Sequence, residues 1–227
     1  MAIICRDYNL LFIMTPRTAC TAVGELLCEH YGGQFLPAEN ILDSRGRILV
    51  EKKHSTLLQL IQHKALTAEE AKSLLKIAAV RNPFDSLVSL YVKKRSKYQP
   101  LLSDSASWVN RRPRYAADMK YCRTHSFNQW ILKACSRKVI KRLLGFRASF
   151  FSEYVQGVDV ILRYERIEED LKVVFNESGI TWKASIPTVN RTEERTDRDY
   201  RSYYSRLTAL VVGFACSYDL KTYGYQF

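Results

Sequence analysis

The fold is decided by a stretch near the start of the sequence, Leu10-Leu-Phe-Ile-Met-Thr-Pro-Arg-Thr-Ala-Cys-Thr-Ala22. Its first five residues form a continuous apolar run, which is too short for a helix and is typical of a strand buried on both faces of a parallel sheet. After the polar turn, Val23, Leu26 and Leu27 recur at helical spacing, and Gly32-Gly33 ends that helix. The stretch therefore predicts a strand, a tight loop and a helix.

A second unit of strand, loop and helix is predicted from residue 76 onward. Lys76-Ile-Ala-Ala-Val80 is typical of a buried strand. In the helix that follows, Asn82 suits the N-cap and Pro83 suits the first helical position. Capping residues and apolar periodicity predict further elements: a helix opened by Thr67, a helix from Ser126 through Cys135, a strand over 158–162, a helix over 165–178 and a long helix over 199–218.

Strands that alternate with helices indicate an α/β fold with three layers and a mostly parallel central sheet. A chain of 227 residues, 47% of them hydrophobic, can bury a sizeable core, so disorder is excluded and a single domain over 1–227 is predicted. Residues 93–123 carry nine Lys and Arg against two Asp, and Pro100 and Pro113 interrupt regular structure there. We interpret this segment as a basic, partly irregular insert.

Charge and cysteine usage narrow the class of protein. With 35 Lys and Arg against 23 Asp and Glu, the net charge of +12 indicates an anionic partner: nucleic acid, a membrane surface or a phosphorylated small molecule. Six cysteines without CxxC spacing suit reduced thiols, and no cluster has metal-ligand spacing. No apolar run is long enough to span a membrane, and no secretory signal is recognisable. These features predict a cytoplasmic protein, unless the chain is a trimmed piece of a lumenal, membrane-anchored enzyme.

Two loops are placed to bind an anion, because ligands of open parallel sheets bind beyond the carboxyl ends of the strands. In Thr15-Pro-Arg-Thr-Ala-Cys-Thr21, backbone amides and Arg17 could hold an anion, with hydroxyls from Thr18 and Thr21. An ordinary strand–helix turn is the alternative. No GxxxxGK[ST] pattern is present, which argues against an ordinary nucleotide triphosphatase or kinase. The second loop begins at Arg81, with Ser89 two turns along its helix.

Together the two loops resemble the PAPS-dependent sulfotransferase family, where PAPS is 3′-phosphoadenosine 5′-phosphosulfate. Pro16-Arg-Thr-Ala-Cys-Thr-Ala22 is similar to the family's 5′-phosphosulfate loop, Pro-Lys/Arg-Thr-Gly/Ala-Ser/Thr-Thr-Ser. Arg81 and Ser89 are similar to the pair that holds the 3′-phosphate. Ile161-Leu-Arg-Tyr-Glu-Arg-Ile-Glu-Glu-Asp170 resembles another common segment, and the C-terminal region through Tyr218-Asp-Leu-Lys-Thr-Tyr-Gly-Tyr-Gln-Phe227 resembles the carbohydrate-type branch.

The resemblance implies a P-loop-like nucleotide-binding architecture and transfer of a sulfuryl group from PAPS to an acceptor hydroxyl, giving 3′-phosphoadenosine 5′-phosphate (PAP). It implies a carbohydrate acceptor, which could be anionic, and no bound metal. The residues that it assigns to donor binding are Arg17, Thr18, Ala19, Cys20, Thr21, Ala22, Arg81, Ser89 and Arg191. Cys20 and Ala22 stand where the family more often has Ser or Thr, so hydroxyl contacts to the sulfate end would be lost. Arg17 would also stabilise the leaving phosphate.

The general base is assigned to His54, in Lys53-His-Ser-Thr56, because the family commonly has a His or Glu base between the two phosphate loops. The alternative is that His54 only caps the helix beginning near Ser55, with Glu51 or Glu25 as the base.

Three parts of the chain each allow two interpretations. Arg191 and Arg195 would close over the donor nucleotide or lie in a solvated loop, and Tyr164 would lie near the adenine or be a buried residue at a strand end. The basic insert is either the wall of an acceptor channel or a solvated face. For the whole chain, the second function to consider is a non-catalytic module that binds nucleic acid or another polyanion. It is disfavoured because no nucleic-acid-binding motif is present.

Overall fold

The computed structural model describes residues 2–105, 107–189, 195, 197 and 199–227. Within these residues the strands are β1 (Ala2–Cys5), β2 (Leu10–Ile13), β3 (Gln34–Leu36), β4 (Ile41–Leu42), β5 (Ile48–Val50), β6 (Leu75–Val80) and β7 (Val160–Arg163). The α-helices are α1 (Cys20–His30), α2 (Leu57–Gln62), α3 (Ala68–Ser73), α4 (Pro83–Arg95), α5 (Pro113–Thr124), α6 (Phe127–Leu143), α7 (Ser152–Val155), α8 (Ile167–Glu177), α9 (Arg206–Ala215) and α10 (Ser217–Tyr223). Short 3-10 helices cover Arg6–Tyr8, Gln99–Leu102, Tyr164–Arg166 and Tyr200–Tyr203.

The chain divides into two compact units, each built from two segments. The first unit contains Met1–Arg81 and Phe151–Asn190, and the second contains Asn82–Phe150 and Arg191–Phe227. The single-domain interpretation of the sequence stays a prediction.

The first unit is built on a five-stranded sheet in the order β3-β1-β2-β6-β7. β2, β6 and β7 are parallel, and their register aligns Ile13 with Ala78 and Ala78 with Ile161. β1 runs antiparallel to both of its neighbours, β2 and β3. The predicted mixed α/β fold with a mostly parallel central sheet is therefore confirmed, while β1 and β3 were not foreseen. A separate hairpin pairs β4 with β5.

Helices cover both faces of this sheet, which gives the first unit its three layers. Phe12 packs on the face covered by α1 and α8, in a cluster with Leu27 and Phe175. Its neighbour Leu11 faces the opposite side, in a cluster with Leu60 of α2. Because adjacent strand residues point to opposite faces, both faces of β2 need apolar side chains, and this explains its uninterrupted apolar run. Burial of each such side chain stabilises the fold by about 1.5–3 kcal/mol.

The second unit consists of helices in the part of the chain that the structure describes. The Asn82 side chain accepts a hydrogen bond from the Phe84 amide at 3.0 Å, and Pro83 follows it, as predicted for the start of α4. Ser126 opens α6 with a capping box, also as predicted, but α6 continues to Leu143 rather than ending near Cys135. No helix formed by the described residues is both long enough and apolar enough to span a membrane.

The predicted long helix over 199–218 is wrong. A 3-10 turn ends at Tyr203, Tyr204 is extended (φ −93°, ψ 135°), and α9 begins only after it. Tyr204 donates its hydroxyl to the Phe84 carbonyl at 2.9 Å, and its ring lies edge-on to Phe127. Ser205 then opens α9 with a capping box. A half-buried tyrosine held by a hydrogen bond and a capping box therefore override the helical periodicity of this segment.

Part of the positive charge of the basic insert is neutralised by an acidic residue of the same insert. Lys93 and Lys94 belong to α4 and are each only 6% exposed, so neither lies on a solvated face. The Lys94 ammonium is 2.6 Å from a carboxylate oxygen of Asp118, which also accepts a hydrogen bond from the indole of Trp130 at 3.1 Å. The other seven basic residues of the insert are exposed: Arg95, Lys97, Arg111, Arg112, Arg114, Lys120 and Arg123.

Candidate functional site

Three chain segments meet at the carboxyl edge of the sheet in the first unit. The loop of residues 14–19 follows β2, Arg81 follows β6 and Tyr164 follows β7. Since these three strands are parallel neighbours, the residues that follow them lie at the same edge. This edge is where ligands bind in open parallel sheets.

The loop after β2 presents backbone amides rather than side chains. Arg17 (φ +72°) and Ala19 (φ +55°) adopt left-handed backbone, which turns the chain sharply into α1. In α1, the Val23 amide donates to the Ala19 carbonyl at 3.1 Å, so the amides of Cys20 and Thr21 precede the first intrahelical bond. Amides in this position, at the positive end of the helix dipole, stabilise an anion.

The side chains of this loop contribute less than the sequence indicated. Thr18 is buried, and its hydroxyl donates to the Thr15 carbonyl at 2.9 Å, so its one proton is already used. Cys20 is 6% exposed, and burial raises the pKa of its thiol, which keeps it neutral. Ala22 is buried as well, while Thr21 is half-buried. The amides, Arg17 and Thr21 are therefore the groups suited to contact an anion.

Thr15 is a candidate that the sequence did not single out. It is fully buried, and its hydroxyl oxygen has no hydrogen-bond partner among the described residues. A buried hydroxyl without a partner costs about 1–3 kcal/mol, which a bound ligand or water would recover. The sequence contains the residue but no signal of its unsatisfied hydroxyl.

Arg81 connects the three segments. It is 6% exposed, and one guanidinium nitrogen donates to the Arg17 carbonyl at 3.0 Å. Its guanidinium carbon lies 3.9 Å from the centre of the Tyr164 ring, a cation–π contact that orients the planar group. Tyr164 therefore positions Arg81, a contact that was not foreseen. A fixed positive charge results at the sheet edge, beside the loop.

His54 is held at the same edge. Its Nδ1 is 3.0 Å from the carbonyl oxygen of Met14, the residue that enters the loop, and its ring lies edge-on to Tyr154. Donation from Nδ1–H to this carbonyl leaves the Nε2 lone pair available. Burial, with a smaller contribution from the charges of Lys53 and Arg17, outweighs the hydrogen bond to Met14 and lowers the pKa of His54 to about 4, so the imidazole is neutral near pH 7.

The capping interpretation of His54 is wrong. The helix that follows, α2, begins at Leu57 and is capped by Thr56, whose hydroxyl accepts a hydrogen bond from the Gln59 amide at 3.2 Å. Of the two alternative bases, Glu25 lies in the middle of α1 and Glu51 lies directly after β5, three residues before His54; the choice among the three stays a prediction.

The structure does not test the remaining predicted residues as parts of this site. Ser89 lies in α4 of the second unit and is 3% exposed, so its pairing with Arg81 stays a prediction. Arg191 lies outside the described residues. Arg195 forms an ion pair with Asp85 at 2.7 Å, and both side chains are 14% exposed, so a solvated loop is the wrong interpretation for Arg195. No group of three or more His, Cys, Asp or Glu among the described residues could hold a metal ion.

Fold and site define a mixed α/β protein with amide donors, two arginines and a neutral histidine gathered at the carboxyl edge of a mostly parallel sheet. Residues 1–221 match the family model described as the sulfotransferase family. The chain therefore belongs to the sulfotransferase family. No curated protein and no solved structure matches the chain.

Proposed function

We propose that this protein transfers a sulfuryl group from PAPS to a hydroxyl of a carbohydrate and releases PAP. Membership of the sulfotransferase family supports sulfuryl transfer in general. One observation carries the proposal for this chain: the bond between His54 and the Met14 carbonyl places a neutral imidazole at the entrance of the candidate phosphosulfate loop.

Donor binding follows from the charges at the sheet edge. The amides that open α1, the guanidinium of Arg17 and the hydroxyl of Thr21 would hold the 5′-phosphosulfate of PAPS, in a P-loop-like manner. Arg81 would hold the 3′-phosphate, together with Ser89 and with Arg191. Arg81 is buried and oriented by Tyr164, so it would meet the phosphate without further ordering. No metal is required, because arginines and amides supply the positive charge.

The proposed reaction is an in-line displacement at sulfur. His54 Nε2 removes the proton of the acceptor hydroxyl, and the acceptor oxygen forms a bond to sulfur. The bond between sulfur and the bridging oxygen breaks, and its electron pair stays on the 5′-phosphate of PAP. Arg17 and the loop amides stabilise the charge that develops on that phosphate. The products are the sulfated acceptor, PAP and a proton.

The low pKa of His54 is compatible with this role. In the free protein the pKa is about 4, which would make the imidazole a weak base. Burial is the main cause of this low pKa, and a bound phosphosulfate anion would offset the smaller contribution of the positive charges of Arg17 and Lys53 and so raise the pKa. His54 would thus become a stronger base only when the donor is in place.

The acceptor would be a hydroxyl-bearing saccharide. The exposed arginines and lysine of the insert, from Arg111 to Arg123, would attract an anionic saccharide and form the wall of its channel. A cytoplasmic location stays part of the proposal.

The test combines binding with turnover. Calorimetry should detect PAP binding, and the purified protein should transfer ³⁵S from labelled PAPS to at least one member of a panel of neutral and anionic saccharides. His54→Asn, which keeps an N–H for the Met14 carbonyl, should retain PAP affinity and lose transfer. His30→Asn makes the same chemical change at an exposed site on α1 and should alter neither.

Two results would contradict the proposal. Absence of PAP binding would exclude the donor, and undiminished turnover by His54→Asn would exclude the assigned base. Binding to DNA or RNA that falls steeply with salt and is indifferent to PAP would instead support a polyanion-binding module.

A further inference from the structure

Helices α6 and α9 of the second unit lie side by side in the same direction. At their N-terminal ends, the Asn128 side chain accepts a hydrogen bond from the Ser205 amide at 2.9 Å. At their C-terminal ends, the guanidinium of Arg142 lies 5.9 Å from the centre of the Phe214 ring. The two helices therefore form one continuous surface.

The outer side of this surface is apolar. It exposes eight large apolar side chains, each between 43% and 72% accessible, and we call it the α6–α9 face: Leu132, Ile140, Leu143, Leu144, Phe146, Leu207, Leu210 and Phe214. On α9 the three exposed residues are spaced by three and four, so they lie on one side of the helix. Solvent-exposed apolar patches of this kind mark interaction sites.

The surroundings of the α6–α9 face are basic. Residues 125–152, which contain α6, include six Lys and Arg and no Asp or Glu, and residues 200–218, which contain α9, include two Arg and no acidic residue. On α6, Lys133, Arg137 and Lys141 recur every four residues, which places them in one stripe beside the apolar residues. Arg147 and Arg206 are exposed at the ends of the two helices. We call these five basic residues the rim. The partner of this face must therefore be anionic opposite the rim and apolar opposite the leucines.

We propose that the α6–α9 face binds the surface of an anionic phospholipid bilayer. The leucines and phenylalanines insert at the boundary between headgroups and acyl chains, and the basic stripe pairs with anionic headgroups. A second copy of this chain is a poorer partner, because contact through this face would bring the basic stripes of two α6 helices together. The proposal is independent of the sulfotransferase activity.

The experiment is co-sedimentation of the full chain with extruded vesicles. The expected result is strong binding to phosphatidylcholine vesicles that contain about 30% phosphatidylserine, weak binding to phosphatidylcholine alone, and a decrease as sodium chloride is added. Leu143→Gln and Leu210→Gln should each weaken binding by about tenfold, since each removes one inserted apolar side chain. Leu58→Gln changes another exposed leucine, 51% accessible, on α2 of the first unit and should have no effect.

The charge of the rim is tested separately. Lys141→Glu on α6 should weaken binding to the phosphatidylserine vesicles by more than tenfold. Lys120→Glu makes the same change in net charge on α5 and should weaken it much less. All of these side chains are exposed, so melting temperatures should stay near that of the wild type.

Three results would overturn the proposal. The first is equal binding to both kinds of vesicle, or to neither. The second is wild-type binding by both leucine variants, which would mean that the face is not inserted. The third is a dimer in light scattering that Leu210→Gln dissociates while vesicles are not bound, which would make a second copy the partner.

Discussion

Replacement of His54 by Asn should make the free energy of unfolding fall less steeply as the pH is lowered below 6.5. The asparagine amide can still donate to the Met14 carbonyl, as Nδ1 does at 3.0 Å in the wild type, but it does not titrate. The comparison therefore isolates the protonation of one buried imidazole while the hydrogen bond is kept.

The lowered pKa of His54 means that acid destabilises the folded protein. Above pH 6.5 the imidazole is neutral in both folded and unfolded chains, so it makes no pH-dependent contribution. Burial lowers the folded-state pKa to about 4, so between pH 6.5 and 4 the unfolded chain binds a proton that the folded chain does not. The wild type loses stability through this window, and the loss is complete below about pH 4. A change from 6.5 to about 4 corresponds to about 3 kcal/mol.

The assay is urea unfolding followed by tryptophan fluorescence at several pH values. The quantity measured is the difference in free energy of unfolding between the wild type and His54→Asn. Carboxylates that protonate in the same window are common to both proteins, so their contribution cancels. On going from about pH 7 to about pH 4, the wild type should lose about 2–3 kcal/mol relative to the variant. Parallel profiles would show that His54 is not buried as a neutral imidazole, and would refute the reasoning.

Three further substitutions test the site and the second unit. Arg81→Lys removes the guanidinium that bonds the loop carbonyl and stacks on Tyr164, so PAP affinity measured by calorimetry should fall by about tenfold or more. Asp118→Asn leaves the buried ammonium of Lys94 without its carboxylate, and the free energy of unfolding in urea should fall by about 2–3 kcal/mol. Ala19→Gly relieves a left-handed backbone (φ +55°) and should stabilise the protein by about 1 kcal/mol, raising the melting temperature by about 2–4 °C.

Each of these has a matched control. Arg206→Lys, at an exposed position of α9, should leave PAP affinity unchanged. Glu177→Gln, at the exposed end of α8, should leave the free energy of unfolding nearly unchanged. Ala134→Gly on α6 should have the opposite effect to Ala19→Gly, lowering stability by about 1 kcal/mol. If both glycine variants are destabilised alike, the backbone of residue 19 is not strained.

The sequence predicts those elements whose formation depends on residues that are close together along the chain. The apolar run of β2, the Gly pair after α1 and the cap formed by Asn82 depend on residues within a few positions of one another, and each element was predicted. β1 was missed because Ala2–Cys5 is short and is followed at once by charged residues. Its strand conformation comes from pairing with β2 on one side and β3 on the other, which no short window contains.

In the candidate site as well, some positions could be predicted from neighbouring residues and others could not. Arg81 could be placed at a strand end from its own neighbourhood, because Lys76–Val80 has a clear strand pattern. The position of His54 could not, since its partner is a backbone carbonyl 40 residues earlier in the chain, and a carbonyl has no sequence signature. The stacking of Arg81 on Tyr164 depends on the adjacency of β6 and β7, which the order of elements along the chain leaves open.

The left-handed residues of the loop have a consequence for how this site could change over evolutionary time. Side-chain donors are lost with one substitution, but a peptide amide is supplied by every residue except proline. An anion site formed by backbone amides would not depend on whether residues 20 and 22 carry hydroxyl side chains, and here they are Cys20 and Ala22. It constrains instead the conformation of residues 17 and 19, where a β-branched side chain would be strained. Substitutions at residues 20 and 22 would therefore leave the proposed amide donors in place, whereas residues 17 and 19 must keep their left-handed conformation.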